Sequence, residues 1–299
     1  MGWEPDRAIE IIAGTPPGGG QDRAARSLAA AFGGLLDVPV SVTNVPGRGG
    51  GNAWDHLATL AADGHHLSIS SPTMITNRLT GVTDLGPDDL SQLALLCTEF
   101  IAFAVPMESP LSSAADLVGV LGNPTPPTVS LATARGNVNH IAVAYLCHHV
   151  GVDPRRLSIR VFDSARHAIA DALETPQGIA AVSAASLVPE VEAGSIRVLA
   201  SSAPERLDDP LGAIPTWTEL GVECSIGTWR GVVGPPKLAA DVVAFWDEAL
   251  SSAITTPAWQ TALSEHNWTN SFLSSSATQQ FMREEEIRIG EALRSLDLG

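Results

Sequence analysis

Cysteine is scarce: the 299 residues hold only Cys97, Cys147 and Cys224. They are far apart, odd in number and form no C-x-x-C pair, which excludes a disulfide framework and a cysteine metal site. Cys97 and Cys147 sit among apolar neighbours and read as small core residues. Aromatic residues are few, at 5%. Basic side chains number 17 against 33 acidic ones, a formal net charge of -16. No basic stripe interrupts that acidity, so nucleic acid is excluded as a partner. An anionic ligand is still allowed, because clustered N–H donors act at short range while distant charge is screened. No apolar run reaches transmembrane length. The start, Met1-Gly2-Trp3-Glu4-Pro5-Asp6, lacks the pattern of a signal peptide; an exported natural form would have had its leader removed and replaced by an artificial start.

Catalytic signatures are missing as well. There is no H-E-x-x-H, no G-x-S-x-G and no cysteine in a motif-like setting. His65-His66 and His148-His149 are adjacent pairs, whose side chains diverge on a strand or a helix, so neither makes an i, i+4 metal pair. The residues therefore point to no metal, no cofactor and no catalytic group. A dyad assembled from distant residues leaves an enzyme acting on a carboxylate as an alternative.

What is present is a globular balance of 44% hydrophobic and 17% charged residues, on a chain long enough for one large or two medium domains. The organising stretch is Thr15-Pro16-Pro17-Gly18-Gly19-Gly20-Gln21-Asp22. It follows the apolar run Ile9–Ala13 and precedes a helical pattern through Ala24, Ala25, Leu28, Ala29, Phe32 and Leu35. A strand, a Gly-rich turn and a helix start together expose backbone N–H groups at a positive helix end, which suits an anion. No Lys-Ser or Lys-Thr follows and the spacing is not G-x-G-x-x-G, so neither a Walker A loop nor a dinucleotide fingerprint is present. Asp22 either caps the helix or accepts a hydrogen bond from a ligand ammonium.

The alternation continues with a strand at Pro39–Asn44, the turn Val45–Asn52, a helix over Ala53–Ala62 and a strand at His66–Ser71. This is the pattern of a parallel α/β sheet, whose ligands gather at the carboxyl ends of strands. Ser70, Ser71 and Thr73 offer hydroxyls at one such end. Leu93–Val105 is a long apolar strand, broken at Pro106–Pro110, where a crossing into a second domain is expected. Thr128–Ala132 is a strand, followed by the turn Thr133–His140 and an apolar helix to Val150, so the strand–Gly turn–helix device occurs twice. Later strands are expected at Arg160–Phe162, Gly178–Ser183, Ile196–Ser201 and Trp229–Pro235, with a Pro-rich linker at Ala203–Ile214. Helices over Ala239–Ile254, Pro257–His266 and Ala277–Leu296 end the chain.

These residues resemble a known family, the extracytoplasmic solute receptors of the tripartite tricarboxylate transporters, also called Bug-type binding proteins. The resemblance rests on ordered short signatures: Pro16–Asp22 with Arg26 and Leu28; Asn44–Gly50; Ala62–Leu67; Gly136 with Asn139-His140-Ile141; Val198–Ala200 with Glu205-Arg206; Pro215–Gly221; and Trp229-Arg230-Gly231. It implies an α/β, two-lobed periplasmic-binding-protein (Venus flytrap) fold with a ligand cleft between the lobes. Residues 5–106 with 231–299 would form one lobe and 107–230 the other. It also implies a periplasmic or extracytoplasmic monomer that binds a small organic carboxylate, a di- or tricarboxylate or an aromatic acid, and delivers it to membrane permease subunits. The family's members are receptors, not enzymes. A ligand-sensing receptor for a signalling partner, on the same fold, is a further alternative.

The resemblance implies that the first loop and the loop before the second-lobe helix pinch one carboxylate. The ligand-binding candidates are Pro17, Gly18, Gly19, Gly20, Asp22, Ser70, Ser71 and Thr73 on one side, and Thr133, Arg135, Gly136, Asn137, His140, Phe162, Asp163 and Ser183 on the other. Arg135, where the family usually has a small residue, can grip a carboxylate with two parallel hydrogen bonds. His140 lies one turn into its helix and is suited to orienting the loop through a side-chain hydrogen bond. Asp163 stands where the family usually has Lys, so the ligand is expected to depart from the commonest ones. Trp217 and Trp229 read as packing residues.

Overall fold

A computed structural model describes residues 2–123, 125–132, 134–175 and 177–298. In chain order the elements are β1 (Ile9–Ala13), α1 (Gly20–Ala31), β2 (Val40–Asn44), α2 (Gly51–Ala58), β3 (His66–Ser70), α3 (Thr73–Leu79) and β4 (Ser91–Pro106). They continue with α4 (Ala114–Leu121), β5 (Thr128–Ala132), α5 (Val138–His149), β6 (Ser158–Phe162), α6 (Ala165–Glu174), β7 (Ile179–Ser183), α7 (Val188–Glu192) and β8 (Ile196–Ser201). The last are β9 (Gly227–Gly234), α8 (Ala240–Ala253), α9 (Pro257–His266), β10 (Thr269–Leu273) and α10 (Ser275–Ser295).

The chain forms two compact units: residues 1–98 with 229–289, and residues 99–228 with 290–299. It passes from the first to the second inside β4, between Thr98 and Glu99, so the Pro106 end of that strand lies in the second unit.

In the first unit β1 pairs in parallel with β2 and with β3, and β9 pairs antiparallel with β3. The strand order is β2-β1-β3-β9-β4, with β10 antiparallel to β4. β1 is buried on both faces, which is why it reads as a nearly continuous apolar run. Ile9, Ile11 and Ala13 pack with Leu28, Phe32, Leu67, Trp246 and Trp259 on one side. Ile12 packs with Trp54, Leu57 and Met74 on the other. The buried Trp54 indole donates to the Ile69 carbonyl at 3.0 Å, so its one polar atom is satisfied.

In the second unit β4 pairs antiparallel with β7 and β8, and β5 lies parallel between β7 and β6. Ala102, Ala104, Ala168, Ile169, Val182 and Leu187 form its core. α6 contributes Ala168, Ile169 and Ala172 to this core.

One local expectation is corrected and two elements are added. The second helix begins at Gly51 and ends at Ala58, because Gly47 (φ 129°), Gly49 (φ 62°) and Gly50 (φ 113°) bend the backbone right up to the helix start. Thr73–Leu79, which has no apolar periodicity long enough to stand out, is a helix. Thr269–Leu273 is a strand; it owes its extension to pairing with β4, not to its own pattern.

Candidate functional site

The two strand–Gly turn–helix devices have the same construction. In the first unit the loop runs from β1 into α1. Gly18 is left-handed (φ 82°) and stands two residues before the helix start at Gly20. In the second unit Gly136 is left-handed (φ 76°) and stands two residues before the start of α5 at Val138. In both, the N–H of that glycine donates to a side chain four residues on: Gly18 to Asp22 Oδ2 at 2.8 Å, and Gly136 to His140 Nδ1 at 3.0 Å.

These bonds decide which donors are already committed in the first loop. The N–H of Gly18 goes to Asp22, that of Gly19 to the Pro16 carbonyl at 2.9 Å, and that of Asp22 to Thr15 Oγ1 at 3.1 Å. Gly20 and Gln21, the first two residues of α1, carry the N–H groups that point out of the helix end. Asp22 is buried, and Arg26 Nε (3.0 Å) and Asn44 Nδ2 (2.8 Å) also donate to it. Burial raises its pKa, but the hydrogen bonds from Arg26, Asn44 and Gly18 outweigh that and hold it below the usual aspartate value. The Asp22 carboxylate is thus held by its own unit, as a brace between α1, β2 and the loop.

Arg230, on β9, stands at the same place. A methyl group added at Gly20 would lie 2.5 Å from Nη2 of Arg230. A guanidinium at the positive end of a helix is a like-charge arrangement that favours an anion beside both. Sequence reasoning quoted Arg230 only as part of a signature. Its contact with Gly20 spans some two hundred residues and left no local signal.

Ser71 and Thr73 lie beside the loop. Their hydroxyls are 2.7 Å apart, and Thr73 Oγ1 donates to the Gly49 carbonyl at 2.8 Å. Ser70 is fully buried, with its Oγ 2.6 Å from where a Cβ at Gly231 would sit, so it faces the interior across the β3–β9 pair. Pro17 is exposed.

In the second unit Asn137 caps α5: its Oδ1 accepts the His140 N–H at 3.1 Å and its Nδ2 donates to the Ala132 carbonyl at 2.7 Å. His140 is buried, and that burial, with the charge of Arg135, depresses its pKa from 6.5 to about 4. It is a neutral imidazole whose Nδ1 is the acceptor for Gly136, which fixes the proton on Nε2. Arg135 is exposed and Nη2 donates to the Ile159 carbonyl at 3.0 Å. Ser183 Oγ donates to Glu99 Oε1 at 2.5 Å, so its proton is committed. Phe162 packs against the core of this unit beneath the Arg160 guanidinium, 5.7 Å from the ring centroid. Asp163 is exposed and pairs with His167 Nδ1 at 2.6 Å, which lowers its pKa. Thr133 lies outside the described residues.

A separate open cavity of about 500 Å³ in the second unit is lined by His148, Asp153, Arg155 and Arg294. It sits at the C-terminal end of α5, opposite the candidate loop, and includes none of the expected site residues. Among the described residues no group of His, Cys, Asp and Glu is placed to hold a metal, and no helix is long and apolar enough to cross a membrane.

Comparison with known proteins agrees with this construction. Residues 24–298 match the model of the tripartite tricarboxylate transporter family receptor, TctC. Protein BugT of Bordetella pertussis is 24% identical over 287 residues, covering 94% of this chain and 86% of BugT. A TctC solute binding protein from Polaromonas superposes with a TM-score of 0.86 at 23% identity, covering 97% of this chain and 99% of that one. Rpa4515 of R. palustris, solved with adipate, gives 0.76 at 22% identity, with 97% of each chain covered. MatC from Rhodopseudomonas palustris, solved with bound malate, gives 0.71 at 22% identity, covering 97% of this chain and 99% of MatC. The α/β, two-lobed solute-binding-protein fold is therefore shared, and with its model matched over nearly the whole length, the chain belongs to the tripartite tricarboxylate transporter receptor family.

Proposed function

We propose that this protein is an extracytoplasmic receptor for a small organic dicarboxylate, without enzymatic activity, which hands its ligand to membrane permease subunits. The observation that carries the reading is the first loop: the outward N–H groups of Gly20 and Gln21 at the start of α1, with the Arg230 guanidinium against Gly20. Two kinds of donor at one helix end suit a carboxylate, since charge-assisted hydrogen bonds are the stronger ones. The matching loop of the second unit, with Arg135 beside it, offers a second anion-receptive helix start. Adipate and malate in the solved relatives support a dicarboxylate as the class. The two units are the two lobes of the receptor. Within the expected site, Gly18, Gly19, Gly136, Asp22 and His140 shape the loops, while Gly20, Thr73 and Arg230 in the first unit, and Arg135 in the second, are the groups each unit offers to a ligand.

The test is a thermal-shift screen of linear, hydroxylated, amino-substituted and aromatic mono-, di- and tricarboxylic acids, followed by calorimetry on each hit. Saturable stabilisation is required of any ligand that binds only the native state. A shift by a dicarboxylate that disappears in Arg230→Ala supports the reading. A dicarboxylate hit unaffected by that substitution moves the carboxylate elsewhere, and a screen with no hit removes the ligand class.

A further inference from the structure

Gln21 follows the three glycines, is buried, and touches all three loops that leave the carboxyl ends of β1, β2 and β3. Its Oε1 accepts the Gly14 N–H at 2.9 Å. Its Nε2 donates to the Gly49 carbonyl at 3.4 Å and to Ser71 Oγ at 3.3 Å. The orientation of the carboxamide follows from chemistry, since a backbone N–H must face oxygen and a carbonyl must face nitrogen. The fit is tight. A Cβ at Gly14 would lie 2.6 Å from Oε1, and one at Gly50 would lie 2.6 Å from Nε2.

This network has one direction. Thr73 Oγ1 has a single proton and gives it to the Gly49 carbonyl at 2.8 Å. Ser71 therefore donates in the 2.7 Å bond to Thr73, and its own oxygen accepts from Gln21. The chain of donation runs from Gln21 through Ser71 and Thr73 to Gly49. We propose that Gln21 is the positioning residue of the first unit's binding surface, clamping the three loops and supplying the donor at the head of the chain through Ser71 and Thr73. That this surface is the one that meets a ligand rests on the function proposed above; the clamp itself does not.

Amide hydrogen exchange on the full chain tests it without a ligand. Gln21→Ala removes both ends of the clamp, and Gln21→Glu keeps the acceptor for Gly14 but removes the donor. Exchange is expressed as the ratio of variant to wild type at pH 7.5. Gln21→Ala is expected to speed exchange about tenfold or more at Gly14, at residues 49–51 and at 71–75. Gln21→Glu is expected to do so at 49–51 and 71–75 only, because it keeps the acceptor for Gly14 and loses the donor. A purely structural loss of packing would not spare Gly14 in this way. Should Gln21→Ala fail to fold, Ser71→Ala replaces it, with faster exchange expected at 49–51 as well as 71–75. Loosening confined to the neighbours of the substituted residue, or a Gln21→Glu variant that loosens Gly14 as much as Gln21→Ala does, overturns the proposal. If exchange behaves as expected while no acid shifts the wild-type melting temperature, the clamp stands and the ligand reading falls.

Discussion

The N–H of Gly136 donates to Nδ1 of His140 at 3.0 Å, and this bond exists only while the imidazole is neutral. Burial, helped by the charge of Arg135, lowers the His140 pKa to about 4 from an ordinary 6.5. Between those values the unfolded chain holds a proton that the folded chain does not, so stability rises with pH through that window. His140 thus contributes fully above pH 6.5, and its contribution is lost as pH falls to about 4. The difference corresponds to about 3 kcal/mol. Urea unfolding of wild type and His140→Gln at pH 7 and pH 4.5 checks this. The wild type is expected to lose much more stability between the two, and parallel losses would show that the fold does not depend on a neutral His140.

Asp22 performs the matching task in the first unit with a charged acceptor. It takes hydrogen bonds from Gly18, Arg26 and Asn44, and its amide variant cannot serve all three donors. Asp22→Asn is expected to cost about 1–3 kcal/mol in urea unfolding, the range for leaving a buried hydrogen-bonding group unsatisfied. The native contribution, from a carboxyl held low, is present above the ordinary value of 3.8 and fades as pH falls below it. An unchanged unfolding midpoint would mean that the loop holds without this brace.

Gly19 and Gly20 respond differently to the same added methyl. At Gly19 it would lie 2.5 Å from Thr15 Oγ1 and 3.0 Å from the Pro16 carbonyl, so the loop itself must shift. At Gly20 it would meet the far end of the Arg230 side chain at 2.5 Å, and a side-chain end yields more readily than a loop backbone. Gly19→Ala is therefore expected to lower the melting temperature by several degrees. Gly20→Ala is expected to leave it nearly unchanged while weakening carboxylate binding about tenfold, as measured by calorimetry. The reverse pattern would separate Arg230 from the carboxylate.

The donation from Ser71 through Thr73 to Gly49 leaves Thr73 with a lone pair and no free proton. A ligand group facing it must be a donor, such as a hydroxyl or an ammonium. Malate or aspartate is expected to bind more tightly than succinate, about fivefold or more, and Thr73→Val is expected to erase the preference. Tighter binding of succinate would show that Thr73 does not meet the ligand.

Arg135 donates to the Ile159 carbonyl and lies in the solvent-exposed part of its loop. Its guanidinium has further donors for a second carboxylate. Arg135→Ala is expected to weaken diacids about tenfold and monoacids little. Calorimetry with succinate and butyrate distinguishes this from equal losses, which would confine Arg135 to shaping its loop.

Local sequence alone determined the repeated unit of this fold. Apolar runs such as Ile9–Ala13, glycines that must turn left-handed such as Gly18 and Gly136, and the helices that start after them are set by contacts a few residues apart. The first loop and its Gly136 counterpart were legible for that reason. Tertiary structure decided which atoms remain to meet a ligand. The N–H groups of Gly18, Gly19 and Gly136 are consumed inside their own loops, and Asp22 and His140 are the groups that consume two of them. Gln21 joins three loops only because β1, β2 and β3 lie side by side, and Arg230 reaches Gly20 only because β9 pairs with β3. A hydrogen bond is satisfied by whatever the fold brings within about 3 Å. Sequence separation carries no information about that distance once the chain has crossed a sheet.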